Sequence, residues 1–98
     1  MNWKSYTIDL GTIKQNSRHT LVYESTKPLD IYKISSGCTQ CTKINGYSDN
    51  KLTAVYKVSN IPIQLRNNPG YQNVRKIIVV TYQDGSKDIL SFTAKIVK

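Results

Sequence analysis

Apolar residues recur at every second position through most of this chain, and no stretch holds the i, i+3, i+4, i+7 spacing of an amphipathic helix. A period of two sends successive side chains to opposite faces of an extended backbone, so the pattern restricts the chain to strands with one face buried. In Trp3 to Leu10, residues Tyr6, Ile8 and Leu10 share a face and Gly11 closes the segment. In Arg18 to Glu24, His19, Leu21 and Tyr23 fall on one side, and Lys27-Pro28 then breaks the strand. Leu29 to Ile34 reads as a third strand whose buried face is ambiguous. Ser35 to Asn50 is polar, contains glycine and holds both cysteines, and defaults to a loop. Lys51 to Val58 alternates cleanly, with Leu52, Ala54, Tyr56 and Val58 together. Asn60 to Gly70 carries two prolines and so reads as an edge strand followed by a long turn. Val74 to Tyr82, the hairpin signal Asp84-Gly85, and Asp88 to Val97 complete the series, with Leu90, Phe92, Ala94 and Ile96 on one face.

Seven short strands within 98 residues are what a Greek-key sandwich requires, although a small barrel satisfies the same periodicity. A chain of this length makes a single domain, residues 1–98. The longest apolar run, Ile77 to Val80, is far short of the roughly 20 residues of a membrane-spanning helix. The N-terminus lacks the apolar core of a signal peptide. With Met1 as the natural start, the expected place of synthesis is the cytosol, where the two cysteines are reduced.

Fourteen Lys and Arg against six Asp and Glu give a net charge of +8, which favours acidic partners. The cations are scattered, and Arg75-Lys76 is their one adjacent pair. Chemistry has few footholds. Cys38-Thr39-Gln40-Cys41 has zinc-ligand spacing but no second pair to complete a site, leaving Cys38 and Cys41 as weak metal candidates and no cofactor expected. A redox role would need a helix after the strand, and none is predicted. His19 lies on a strand with no nearby serine, cysteine or acid in sequence to build a triad. Asp9, Glu24, Asp30, Asp49, Asp84 and Asp88 are separate, and several sit at turns. The chain therefore reads as non-enzymatic, with no small-molecule substrate. Tyrosines interleaved with Lys and Arg at Tyr32-Lys33, Tyr56-Lys57 and Tyr71 to Lys76 keep nucleic acid as a lesser alternative.

From Ile8 to Val97 the order of features resembles the bacterial immunoglobulin-like family of unknown function related to the ASPM/Hydin-type domains. Ile8-Asp9-Leu10-Gly11-Thr12-Ile13 is similar to its strand-then-Gly-Thr start, and His19-Thr20-Leu21-Val22-Tyr23 to its second strand. Ser35-Ser36-Gly37-Cys38-Thr39-Gln40-Cys41-Thr42 resembles its cysteine-containing stretch, with two residues between the cysteines instead of one. The resemblance implies an all-β, immunoglobulin-like β-sandwich and names no catalytic residue. A free-standing copy with this Asn, Lys, Ile and Tyr bias is similar to short accessory proteins of tailed-phage virions, including the crAss-like group. The expectation is a capsid decoration or auxiliary protein, located in the virion after synthesis in the host cytoplasm. Its partner would be the major capsid protein or another virion protein, reached through Trp3, Tyr6, Tyr47, Tyr71, Arg75 and Lys76. The alternatives are an exported cell-surface or periplasmic adhesion module, or a basic nucleic-acid-binding β-domain.

Overall fold

Backbone N–H and C=O groups must find partners once a chain is buried, and here they do so almost wholly between strands. The computed structural model describes residues 2–37, 41–58 and 71–97. Its seven strands are β1 (Thr7–Lys14), β2 (Arg18–Glu24), β3 (Ile31–Ser36), β4 (Thr42–Ser48), β5 (Lys51–Lys57), β6 (Tyr71–Tyr82) and β7 (Lys87–Val97). They form a four-stranded sheet in the order β1-β7-β6-β3 and a three-stranded sheet in the order β2-β5-β4. All pairings are antiparallel except β1 with β7. Ahead of β1, Trp3 bridges Ser25 just beyond β2, so the N-terminal segment touches one sheet and then joins the other. No helix occurs among the described residues, so none is long and apolar enough to cross a membrane.

The two sheets face each other as a β-sandwich. Leu21 and Tyr23 of β2, Leu52, Ala54 and Tyr56 of β5, Ile78, Val80 and Tyr82 of β6, and Leu90, Phe92, Ala94 and Ile96 of β7 form the buried interior. Each large apolar side chain removed from water contributes about 1.5–3 kcal/mol, so this layer dominates stability. Tyr56 and Phe92 meet across it with ring centroids 4.9 Å apart. The Tyr23 hydroxyl donates to the Ser91 carbonyl at 2.6 Å, tying the sheets by a buried hydrogen bond. Burial pushes the Tyr23 and Tyr56 phenols above their ordinary pKa.

The alternation in β2, β5 and β7 is borne out, and β6 begins three residues earlier than expected. Three expectations are corrected. Gly11 does not close the first strand: it lies inside β1 at positive φ, in a register shift between Asp9 and Thr12, with its N–H donated to Asp9 Oδ1. The third strand begins at Ile31, and a shift at Tyr32 lets both Ile31 and Ile34 turn inward, which removes the ambiguity of its faces. The stretch from Ser35 to Asn50 is no loop: Ser35 and Ser36 complete β3, and Thr42–Ser48 forms β4. Asp49 and Asn50, both at positive φ, make a two-residue hairpin turn into β5. The predicted hairpin at Asp84-Gly85 joins β6 to β7, with the Gly85 N–H donated to the Tyr82 carbonyl and Asp84 accepting from Ser86. The edge strand and turn expected over Asn60 to Gly70 lie outside the described residues.

Candidate partner interface

The six residues expected to meet a partner separate into two groups at opposite ends of the sandwich. Trp3 is only 1% exposed and is not a contact residue. Its indole N–H donates to the Tyr82 hydroxyl at 2.9 Å, and Tyr82 donates in turn to Asp88 at 2.6 Å. Tyr47 meets Trp3 edge-on at 6.0 Å and lies in β4, not in a loop; its hydroxyl accepts from the Leu29 N–H and contacts Ser25 Oγ. Half-buried Tyr6 accepts from the Asn2 N–H. These three aromatics close the end where β2–β3, β4–β5 and β6–β7 turn. At the other end Tyr71 lies under the Lys95 ammonium, 4.2 Å from the ring centroid. Arg75 and Lys76 project to opposite sides of β6, Arg75 outward and Lys76 half-buried, so the pair does not act as one.

The sequence reading placed no serine near His19, but Ser17 Oγ lies 2.9 Å from His19 Nε2. The proton balance decides what this pair can do. Ser17 also donates its hydroxyl to the Lys14 carbonyl at 2.5 Å, an arrangement in which His19 Nε2 serves Ser17 as a donor. Cys41 is disulfide-bonded, which overturns the expectation of reduced cysteines and leaves its sulfur with no thiolate to offer a metal. Cys38, the other cysteine, lies outside the described residues. Among the described residues no cluster of His, Cys, Asp and Glu has the make-up of a metal site, and every buried side-chain nitrogen or oxygen has a partner. The grooves are shallow; one of about 540 Å³ runs between β3 and β4 past Ile31, Ile34 and Ile44.

Strand register reveals an arrangement of charge that the scattered sequence positions hid. Glu24, Asp30, Asp49, Asp84 and Asp88 all lie at the end with the three turns, alongside Lys4, Lys27, Lys33, Lys51 and Lys87. There Lys4 holds the Glu24 carboxylate at 2.9 Å and depresses its pKa, while the hydrogen bonds from Ser86 depress that of Asp84. Toward the opposite end come Lys14, Arg18, Lys43, Lys57, Arg75, Lys76 and Lys95, with Asp9 the single carboxylate there among the described residues. The turn end is therefore electrically balanced and the other end strongly cationic. Arg18 and Lys57 even pair directly across β2 and β5, an arrangement of like charges that costs stability.

The outer face of the four-stranded sheet is ordered in rows. Lys33, Thr81 and Lys87 form one; Ser35, Val79 and Ile89 the next; then Ile77 and Ser91; then Arg75 and Thr93 with Asp9. Ile77 is 40% and Ile89 59% exposed. An apolar centre thus lies between a row with two lysines and a row in which Arg75 is opposed by Asp9, a pattern that sequence spacing could not show because its members come from three strands. Compared with family models, curated proteins and solved structures, the chain matches none.

Proposed function

We propose that this chain is a non-catalytic docking module of immunoglobulin-like Greek-key type that seats its cationic end on an acidic protein surface, as a decoration or auxiliary protein of a virion capsid. The strand order supports the fold. One sheet is β2-β5-β4 and the other β1-β7-β6-β3, with hairpins inside each sheet and crossovers from β2 to β3 and from β5 to β6. This order fits the plan of immunoglobulin sandwiches, with the first strand moved to lie parallel to the last. The observation that carries the function is the separation of charge along a molecule of 47 × 21 × 18 Å. Screening over about 8 Å at physiological salt lets a cationic end be felt separately from a balanced end, which orients an approaching protein on an acidic lattice. A disulfide at Cys41 suits a virion surface, where thiols are not kept reduced.

The same disulfide favours a second reading, an exported adhesion module, since that setting is also oxidising. One experiment separates them. Purified protein is sedimented with intact virions, empty capsids and matched nucleic acid over a range of salt. Saturable binding to capsids, weakening as salt rises, is expected. Binding to nucleic acid alone, with a steep salt slope, overturns the docking reading. Absence of the chain from purified virions, with its recovery from the host envelope, selects the adhesion module.

A further inference from the structure

We infer that the outer face of the four-stranded sheet, beside the cationic end, is a second docking surface, and that its occupant is a protein patch with an apolar centre and a carboxylate rim. This rests on the docking reading, but not on which assembly supplies the partner. Four large apolar side chains are exposed among the described residues, Val22, Tyr32, Ile77 and Ile89. Ile77 and Ile89 share this one face, and Val79 joins them: it pairs with Ile89 across the ladder and lies two residues from Ile77 along β6. Apolar side chains at the centre of a patch supply most of an interface's energy, and the surrounding polar rim sets orientation. Here the rim is net cationic: Lys33 and Lys87 on one side, Arg75 opposed by Asp9 on the other. Asp9, in Arg75's row, has its Oδ1 occupied by the Gly11 N–H and the Thr93 hydroxyl.

The surface itself selects among occupants. A second copy would set two net-cationic faces together, each with Lys33, Lys87 and Arg75 against Asp9. Single-stranded nucleic acid is held on aromatic platforms for its bases, and this centre is aliphatic. On the four-stranded sheet, strand addition is opposed by the bulges in both edge strands, β1 and β3, which interrupt the row of backbone donors an incoming strand would use. On this sheet a face therefore serves docking better than an edge does.

The test uses the full chain and three fluorescent probes: a short alternating Leu-Glu peptide, poly-glutamate of equal charge, and oligo-thymidylate of equal charge. The Leu-Glu peptide should bind tightest. Changing Ile77 and Ile89 together to Ser should weaken it about tenfold or more, Lys33→Glu with Lys87→Glu should do likewise, and Val22→Ser on the opposite sheet should leave it unchanged. Circular dichroism and thermal unfolding of each variant establish that it is folded. Tightest binding to oligo-thymidylate, or affinity for the peptide that survives the Ile77 and Ile89 changes, overturns the inference. The same variants sedimented with capsids separate the two claims. Wild-type chain that binds the peptide but no capsid refutes the capsid assignment alone, whereas capsid binding insensitive to Ile77 and Ile89 refutes the face.

Discussion

Trp3 is the residue whose role changes most between sequence and structure. Two residues from a chain end, with Asn2 and Lys4 beside it, it reads as an exposed anchor. The partner that buries it, Tyr82, is 79 positions away, and no local pattern points there. The chain Trp3 to Tyr82 to Asp88, joined by Asn2 Nδ2 at 3.1 Å from Asp88, fixes the N-terminal segment over the end of the core. Tyr82→Phe leaves the Trp3 N–H without an acceptor, and a stranded buried donor costs about 1–3 kcal/mol; urea unfolding at neutral pH measures it. Burial, reinforced by the bond to Asp88, pushes the Tyr82 phenol up to about 12. The folded chain then holds this proton more tightly than the unfolded chain, whose phenol titrates near pH 10. Stability is thus unaffected by this group below about pH 10 and falls between about 10 and 12, because there the unfolded state binds fewer protons. The alkaline loss should be smaller in Tyr82→Phe than in wild type, read as the shift in urea midpoint between pH 9 and pH 11.

At the level of elements, what the sequence conceals is parity. Strands without a bulge, β2, β5 and β7, keep strict alternation and could be read with their faces correct. In β1, β3 and β4 the inward apolar residues are spaced by odd numbers, Ile8 to Ile13, Ile31 to Ile34 and Ile44 to Tyr47, which no regular strand can put on one face. Each odd interval contains a register shift, so the extra residue that confuses the pattern is also the one that corrects the face. An odd interval between β-branched or aromatic residues beside a Gly was the available signal for β1 and β4. The turn between β4 and β5 was legible as well, since Asp and Asn tolerate the left-handed region. Asn50→Ala, at φ 64°, should cost about 1 kcal/mol, because Ala keeps the Cβ strain of that region and loses the polar side chain that lets Asn tolerate it. Asn50→Gly should be neutral or stabilising, because it relieves the backbone without loosening a packed side chain. Comparison of their urea midpoints separates backbone strain from lost side-chain bonding, which would penalise both variants.

Across the whole molecule the decisive property is where charge collects, and that follows from register alone. In the sequence, Lys14, Arg18, Lys43, Lys57 and Lys95 are isolated cations; folding brings them to one end because strands of alternating direction return there. Two positions in β5 allow the consequence to be tested with opposite signs. Lys57 lies directly opposite Arg18, and Lys51 directly opposite Glu24. Cross-strand pairs are each worth about 0.2–1 kcal/mol, favourable for unlike and unfavourable for like charges. Lys57→Glu therefore converts a repulsive pair into an attractive one and should raise stability at low salt, while Lys51→Glu does the reverse. Both differences should shrink toward zero near 1 M salt, where screening acts over about 3 Å. Binding should rank the variants the other way. Lys57→Glu removes a cation from the end proposed to dock, so it should weaken capsid co-sedimentation although the fold is firmer, whereas Lys51→Glu, at the balanced end, should bind as wild type does despite its lower stability. A chain in which binding follows stability through both variants would mean that the cationic end has no part in docking.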